Sequence, residues 1–185
     1  MPERAAVFID GGYLDKVLYN LGRLRPDYLR FSDKVCRGTE RFRTYYYHCM
    51  PHQSNPPTED ERGRYASMDR FVHSLRRLTR FEVALGRLQR IDGDYRQKGI
   101  DTLLSIDLVE LAATGQIAKA ILVTGDSDFV PAIKRAKAKG VIVDLFYSPA
   151  TGLHTELFEV CDDRVQLDAA FFRDLTRPGA SGSAP

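Results

Sequence analysis

The chain has 185 residues, of which 43% are hydrophobic and 28% are charged. This composition is typical of a soluble globular protein and not of a disordered or membrane protein. The length fits one α/β domain with its own core, and we expect a single domain over residues 1–175. The last ten residues, TRPGASGSAP, contain no large apolar side chain. We expect residues 176–185 to form a disordered tail.

The sequence also predicts neither a membrane protein nor a secreted protein. No apolar run approaches the ~20 residues that cross a bilayer, and the opening stretch MPERAAVFIDGGYL lacks the apolar segment of a secretory signal. We therefore expect a cytoplasmic protein with no membrane partner. The net charge of +2 is too small to identify a partner. Three widely spaced cysteines without a CxxC pair predict buried thiols, not a zinc site or a disulfide: Cys36, Cys49 and Cys161.

The first half of the chain predicts two strands and two helices. Residues 5–10 form a short apolar run that ends in an acid and two glycines, which indicates a buried strand and a turn. Apolar residues at helical spacing follow as far as Gly22. Residues 41–50 are rich in aromatic residues and predict a strand, and residues 51–60 predict a loop. Residues 61–79 predict an amphipathic helix whose arginines lie largely on its polar face.

The second half alternates strands with helices. We predict a strand over residues 81–91, a polar loop over 92–99, and a helix from Asp101 that is apolar on nearly all sides and therefore deeply buried. Two apolar strands, 119–125 and 141–147, flank a helix that contains Phe129. This alternation predicts a doubly wound α/β fold with a mostly parallel sheet and helices on both faces. Ligands of such sheets bind at the carboxyl ends of the strands.

Acidic residues occur at these predicted strand ends. Asp10 ends the first strand, Asp126 and Asp128 follow the strand that begins at residue 119, and Asp101 opens the buried helix. If the two strands are central and parallel, the four carboxylates converge. Neighbouring like charges raise one another's pKa, and a divalent cation relieves the conflict. Carboxylate oxygens suit Mg²⁺ or Mn²⁺.

Each acid also has a structural interpretation. Asp10 could form an Asx turn, and Asp101, Asp126 or Asp128 could cap a helix, in competition with Ser127. One cap needs one residue, so the whole set favours a metal site. The chain has no phosphate-binding loop of the GxxxxGK[ST] or GxGxxG type and no GxSxG elbow. Its histidines lack the spacing of metal ligands, and we expect the first two of them at the edges of loops: His48 and His52.

Three stretches together resemble a known family: VFIDGGYL, KGIDTLLSIDLVELA and ILVTGDSDFVPAIKRAKAKGVIV. In this order they resemble the signature blocks of the NYN domain family, also described as LabA-like, which belongs to the PIN-like nuclease superfamily. The resemblance extends from residue 5 to about residue 170. It implies a Rossmann-like PIN fold whose acidic cluster binds Mg²⁺ or Mn²⁺ and hydrolyses RNA phosphodiester bonds.

The resemblance also assigns residues. It implies that the catalytic and metal-binding acids are Asp10, Asp101, Asp126 and Asp128. Asp107 occupies a further acidic position of the second block, but it lies about 240° around the helix from Asp101 and is expected to be structural. Many family members have Asn near the position of Tyr13, so the substrate geometry of this chain can differ. The implied mechanism is attack by an activated water on the phosphate and loss of the 3′ oxygen.

Candidate substrate contacts follow from charge and position. Thr124 and Ser127 could bind a phosphate oxygen or a water on the metal, and Lys98 could neutralise charge beside the cluster. Residues 62–96 form a locally basic segment, in which arginines outnumber acids. Several of its arginines could contact phosphates: Arg62, Arg64, Arg76, Arg77 and Arg80. Three consecutive tyrosines could stack on bases: Tyr45, Tyr46 and Tyr47. In the structural interpretation, Thr124 is a plain strand residue, the charges are solvated, and alternate tyrosines face the core.

Two other functions stay open at this point. The chain could be a PIN-like module that binds RNA or a protein without catalysis, or its acidic site could serve a small-molecule reaction. The complete set of acids favours the enzyme, and a narrow acidic edge favours single-stranded RNA as the partner. The resemblance is also compatible with a homodimer.

Overall fold

The computed structural model describes residues 3–91 and 94–175, and the predicted tail over residues 176–185 lies outside them. Seven strands form one sheet in the order β4-β3-β2-β1-β5-β6-β7. Neighbouring strands are parallel, apart from the antiparallel pair β3–β4. The strands are β1 (Arg4–Asp10), β2 (Glu40–Cys49), β3 (Phe81–Ile91), β4 (Asp94–Lys98), β5 (Lys119–Val123), β6 (Ile142–Tyr147) and β7 (Asp163–Gln166).

Helices cover both faces of this sheet, as the sequence predicts. The helices on one face pack with the sheet into one apolar core, and the helices on the other face pack into a second core. The helices are α1 (Gly11–Asn20), α2 (Tyr28–Val35), α3 (Glu59–Arg76), α4 (Ile100–Ala113), α5 (Val130–Lys137), α6 (Thr155–Val160) and α7 (Ala169–Phe172). The first core contains side chains of α4, α5 and α6, and the second contains side chains of α1, α2, α3 and α7.

The two central strands are β1 and β5, and their sequences explain this position. Both are nearly continuous apolar runs, so they can be buried on both faces only if helices lie above and below them. Alternate residues of β1 enter opposite cores: Phe8 packs in the first core, and Val7 and Ile9 pack in the second. The predicted thiols are confirmed as free and buried in these cores.

Because β1 and β5 are parallel neighbours, their carboxyl ends meet at one edge of the sheet, here called the carboxyl edge; the opposite edge is the amino edge. Ile9 pairs with Val123, so Asp10 and the residues that follow Val123 leave the sheet side by side. The chain reaches β2 on one side of β1 and β5 on the other. This reversal of direction is the point where doubly wound sheets bind ligands.

Some predicted elements are wrong in detail. Residues predicted as a polar loop include strand β4, which pairs with the second half of β3. The helix predicted to be buried on nearly all sides, α4, leaves Leu103 39% and Ile106 53% exposed. Helix α3 begins at Glu59 because the side chain of Thr58 accepts from the amide of Glu61 and completes a capping box. The elements α2, α6, β7 and α7 are short and lacked a sequence prediction.

In the part of the chain that the structure describes, no helix combines the length and the apolar character needed to cross a membrane.

Candidate metal centre

Asp10 is held by the turn from β1 into α1. Its carboxylate accepts a hydrogen bond from the amide of Tyr13 at 3.0 Å and thereby caps the helix. Its other oxygen lies 3.4 Å from the hydroxyl of Thr124, which extends from the end of β5. Burial raises the pKa of Asp10, and these two hydrogen bonds offset part of the rise. The carboxylate is therefore fixed at the end of the central strand.

Asp126 and Asp128 occupy the tight turn after β5. Asp126 caps a short 3₁₀ turn, because its carboxylate accepts from the amide of Asp128 at 2.9 Å. Its own amide donates to the hydroxyl of Thr124 at 3.2 Å. Asp126 thus does act as a cap, which was its structural interpretation, but capping engages a single carboxylate oxygen. Thr124 is fully buried and links the two strand ends through Asp10 and Asp126.

Asp101 reaches the same edge from the first turn of α4. The residue that precedes this helix is Gly99 in a left-handed conformation, with φ of 92°, which glycine adopts without strain. Burial raises the pKa of Asp101, and the charges of Asp126, Asp10 and Asp128 raise it further, in that order. This shift is the electrostatic sign of a carboxylate crowded by others.

Three acids form the compact part of the cluster. Asp101, Asp126 and Asp128 each offer a carboxylate oxygen, and these oxygens all lie within 4.8 Å of one another. Asp10 stands beside them, joined through Thr124. Oxygens that share one Mg²⁺ at ~2.1 Å lie at most ~4.2 Å apart, so small side-chain movements would bring all three into contact with one ion. The donor set and its spacing fit a hard divalent cation.

His48 lies next to this cluster, at the penultimate position of β2 and so at the edge of the loop that follows, as expected. It belongs to β2, is 8% exposed, and its Nε2 lies 2.9 Å from Oδ2 of Asp15 in α1. Burial alone would lower the pKa of His48, but the hydrogen bond and charge of Asp15 outweigh it and raise the pKa. The charge of Asp10 acts in the same direction. The imidazole of His48 thus lies among carboxylates, a placement that spacing in the sequence could not indicate.

Close packing explains two glycines of the site. A Cβ at Gly11 would lie 2.5 Å from Cδ2 of His48 and 2.7 Å from the hydroxyl of Tyr46. A Cβ at Gly125 would lie 2.3 Å from the carbonyl oxygen of Gly152. Real Cβ atoms do not approach other atoms so closely, so both strand ends admit only glycine. Gly11 and Gly125 are therefore steric requirements of the turns that present Asp10 and Asp126.

Tyr13, the position at which the resemblance to the family implies Asn, has a structural contact here. Its hydroxyl accepts from the amide of Ser148 at 2.9 Å and lies 3.5 Å from the carbonyl oxygen of the same residue. Its ring lies against Gly125. The tyrosine therefore anchors the segment after β6 over the turn that carries Asp126, and it spans two elements that an asparagine is too short to join.

Ser127 lines a groove of about 1260 Å³ between α4 and α5. Asp101 and Asp128 form one end of this groove, and Ile106 and Arg135 lie further along it. We call it the α4–α5 groove. The remaining predicted contact in this region, Lys98, ends β4 just before α4, and its side chain is outside the described residues. The structure thus brings Thr124 and Ser127 to the acids.

The structure does not bring Arg76 and Arg77 to the acids. They lie where α3 ends, just before β3 starts, and this is the amino edge of the sheet. Nearby, Arg41 at the start of β2 donates to the carbonyls of Thr79 and Arg80 at 3.1 Å. The other two arginines of the basic segment lie in the first turns of α3 with local partners: Arg62 donates to the carbonyl of Pro57, and Arg64 pairs with Asp60.

The tyrosines of β2 are core residues. Tyr46 and Tyr47 are fully buried, so neither is free to stack on a base. Tyr45 is partly buried and stacks on Phe8 with 5.4 Å between ring centroids. Tyr47 donates to the carboxylate of Asp107 at 2.7 Å, which agrees with the structural role expected for that acid. These tyrosines therefore serve the packing of the core, which was their structural interpretation.

Comparison with known proteins agrees with this architecture. The family model of the NYN domain matches residues 4–168. A protein of Sinorhizobium fredii named y4oD, described as uncharacterized, is 40% identical over 67 residues. That alignment covers 36% of this chain and 31% of y4oD, so the chain matches under a third of that relative's length.

A solved structure is similar over nearly its whole length. The crystal structure of VPA0982 from Vibrio parahaemolyticus, described as a protein of unknown function, superposes with a TM-score of 0.69 at 25% identity. The match covers 92% of this chain and 96% of the Vibrio chain. The path of the chain described above therefore recurs in a protein determined by crystallography.

Proposed function

We propose that this chain, which belongs to the NYN domain family of PIN-like nucleases, is a metal-dependent ribonuclease that hydrolyses RNA phosphodiester bonds at its aspartate cluster. The observation that carries the proposal is the convergence of Asp101, Asp126 and Asp128, whose carboxylate oxygens lie within 4.8 Å of one another. Asp10 completes the proposed set from the neighbouring strand. Crowded acids at a topological switch point are poor stabilisers of a fold and good ligands for a hard cation.

The four carboxylates would hold one or two ions of Mg²⁺ or Mn²⁺. When bound, such an ion polarises the scissile phosphate and lowers the pKa of a coordinated water. Water attacks the phosphorus in line, the bond from phosphorus to the 3′ oxygen breaks, and the departing oxygen takes up a proton. The products are a 5′-phosphate and a 3′-hydroxyl. Thr124 would keep Asp10 and Asp126 at a fixed separation through both of its hydrogen bonds.

The proposed substrate is single-stranded RNA. The α4–α5 groove begins at Asp101 and Asp128 and is lined by Ser127 and by the half-exposed Ile106. A strand cut at the cluster can extend into this groove, with Ser127 close enough to the acids to contact a phosphate oxygen. A cytoplasmic location and assembly into a homodimer are part of the same proposal.

Cleavage of labelled single-stranded RNA with Mn²⁺ or Mg²⁺ tests this function. We expect 5′-phosphate and 3′-hydroxyl ends, complete inhibition by EDTA, and a loss of rate on the order of 10³-fold for Asp126→Asn, since a metal supplies several kcal/mol of transition-state stabilisation. The matched control is Asp69→Asn, the same chemical change at an exposed position of α3. It is expected to leave the rate unchanged.

Two results would contradict the proposal. Cleavage that persists in both EDTA and Asp126→Asn would show that the activity arises elsewhere or from a contaminant. Absence of cleavage by a wild-type chain that binds Mn²⁺ through these acids, measured by calorimetry, would leave a metal site without ribonuclease activity. Metal titration of Asp10→Asn separates the roles further, because loss of Mn²⁺ binding there places Asp10 among the ligands.

A further inference from the structure

A basic run at the end of α5 lies on the groove that begins at the acids. Residues 134–139 read KRAKAK, with four cations and no acid, whereas the net charge of the whole chain is +2. Lys134 and Arg135 of this run line the α4–α5 groove, and Asp101 and Asp128 line the same groove. One continuous surface therefore joins the candidate metal centre to two cationic side chains.

The helices set the separation between these cations and the acids. Helices α4 and α5 both start at the carboxyl edge and end at the amino edge, so they form the two parallel walls of the groove. Asp128 lies two residues before α5, and Arg135 follows it by seven residues, or roughly 10 Å along the axis at ~1.5 Å per residue. A group bound at Arg135 is therefore distinct from a group bound at the acids.

The cations of the run differ in their partners. Lys137 pairs with Asp162 at 2.7 Å and thereby joins α5 to the segment after α6. Lys134 lies 3.9 Å from Glu156, and because both side chains are largely exposed, water screens this pair and it contributes little. Among the residues that the structure describes, none forms an ion pair or hydrogen bond with the side chain of Arg135. Lys137 is thus a structural cation, and the other two are available to a ligand.

The helix dipole explains part of this pattern. Cations in the last turn of a helix interact favourably with the dipole, and Lys134, Arg135 and Lys137 all lie in the last turn of α5. The dipole acts alike on every side of a helix, so it does not explain why two of the three cations line the groove. The dipole also requires no vacant cation, whereas Arg135 is exposed and unpaired within the described residues.

We propose that Lys134 and Arg135 bind phosphates of the RNA backbone next to the cleavage position. This inference rests on the proposed function, which places one phosphate at the acids and leads the strand into the groove. Contacts from lysine and arginine to phosphates give affinity without sequence selectivity. Because the cations and the acids lie apart, a strand needs more than one phosphate to occupy both.

The test compares two pairs of cations. The groove variant carries Lys134→Gln with Arg135→Gln, and the control variant carries Lys139→Gln with Arg30→Gln, at exposed positions that do not line the groove. We expect the groove variant to bind a 20-nucleotide single-stranded RNA in EDTA about 10-fold more weakly. The slope of log affinity against log salt should fall by about 1.4, at ~0.7 for each lost phosphate contact. The control variant should keep the wild-type affinity and slope.

An acid of the same groove provides a test of the opposite sign. Glu110 is exposed and lines the groove from α4, so its charge repels a phosphate at Arg135. We expect Glu110→Gln to strengthen RNA binding about 2-fold, the effect of one unit charge at ~10 Å in water. The matched control is Glu59→Gln in the first turn of α3, a helix of the other face of the sheet. It should leave RNA affinity unchanged.

Two further measurements exclude a folding defect. The exchange Lys134→Arg with Arg135→Lys keeps both charges and should keep the affinity and the salt slope. A dinucleotide has a single phosphate, which must lie at the acids to be cleaved. The groove variant should therefore cleave a dinucleotide with the wild-type kcat/KM, while its KM for the 20-nucleotide RNA rises.

The outcomes separate this inference from the proposed function. Equal weakening in the groove and control variants, or no weakening in the groove variant, overturns the inference even if the protein cleaves RNA. Failure of the wild-type chain to bind RNA also overturns it. Groove-dependent binding without cleavage supports the inference and contradicts the ribonuclease. If Ile106→Ser dissociates a wild-type dimer and the groove variant keeps its RNA affinity, the groove holds a second copy of the chain and the inference is wrong.

Discussion

The two edges of the sheet differ in the charges that lie next to one another. At the amino edge, Arg41 donates to Asp33 at 2.7 Å and to two backbone carbonyls at 3.1 Å, and Arg80 pairs with Glu40 at 3.1 Å. Each of these arginines therefore has a carboxylate as its partner. At the carboxyl edge, carboxylates are the neighbours of carboxylates, and burial together with like charge raises the pKa of Asp101.

This difference separates stabilising charges from charges kept for function. Paired groups such as Arg41 and Asp33 lower the energy of the folded chain. A crowded acid such as Asp101, whose pKa is raised by burial and by its acidic neighbours, raises the energy of the folded chain at neutral pH. A fold retains such a cost only where the site gains something from it, here the proposed cation. His48 and Asp15 differ from these acids, since Nε2 of His48 lies 2.9 Å from Oδ2 of Asp15 and this contact raises the pKa of His48.

The largest effect on stability is expected at the amino edge. Arg41→Met keeps the aliphatic bulk but removes three hydrogen bonds from a residue that is 9% exposed. We expect the free energy of unfolding to fall by about 2–3 kcal/mol, measured by urea denaturation. Mn²⁺ affinity should not change. Arg30→Met, at an exposed position of α2, is the control, with a change within ~0.5 kcal/mol. An equal loss in both variants would contradict the importance of pairing.

Loss of the contact between His48 and Asp15 is expected to lower the free energy of unfolding by a smaller amount that depends on pH. The folded-state pKa of His48 is raised above its ordinary value, so the stabilisation is fully present below the unfolded pKa of ~6.5 and is lost as pH rises through the folded pKa. Asp15→Asn removes the charge that raises this pKa. We expect it to cost about 1 kcal/mol at pH 6 and less at pH 9, by urea denaturation at each pH.

The control for this pair is Asp69→Asn, an exposed acid of α3. Its effect on unfolding should be small and the same at both pH values. If the cost of Asp15→Asn were equal at pH 6 and pH 9, the ion pair with His48 would not contribute, and the contact would be a neutral hydrogen bond.

The smallest effect on stability is expected from Asp101→Asn, and it has the opposite sign. Because the folded-state pKa of Asp101 is raised, the metal-free protein loses stability as pH rises from the ordinary aspartate value through the raised one. Removing this charge should therefore raise the Tm of the metal-free protein at pH 7. Asp101 is only partly desolvated by its neighbours and its side chain still reaches solvent, and solvent screening therefore keeps the rise to roughly 1–2 °C.

Addition of Mn²⁺ sharpens the same experiment. The wild-type Tm should rise with Mn²⁺ concentration, because an ion that binds the folded state stabilises it, and Asp101→Asn should lose most of this rise. A lower Tm of metal-free Asp101→Asn would mean that the carboxylate stabilises the fold, and the contrast between the two edges would fail.

Much of the fold was predictable from local pattern. The apolar runs of β1, β5 and β6 and the helical spacing of α1 and α3 are visible in the sequence, and the structure confirms them to within a few residues. Strand β4 escaped prediction because its polar residues resemble a loop until β3 provides a partner. The exposed face of α4 also escaped, since an apolar residue alone does not reveal whether another element covers it.

The acids were predictable and their neighbours were not. Asp10 and Asp126 follow buried strands, and the strand-end rule applies to any parallel sheet. His48 lies 33 residues from its partner Asp15, and no spacing within β2 indicates that contact. Arg76 and Arg77 were expected near RNA because of their charge, but a helix that crosses over between parallel strands ends at the amino edge.

The sequence by itself determined which segments are buried and which strand ends carry acids, because hydrophobic periodicity and the residues that end a strand are properties of neighbouring positions. The tertiary structure alone decided which charges meet. It placed His48 near Asp10, put Arg76 and Arg77 at the edge away from the acids, and extended β3 and β4 past the end of β2. Distances between charges depend on how distant segments pack, and the energy of a charge depends on those distances.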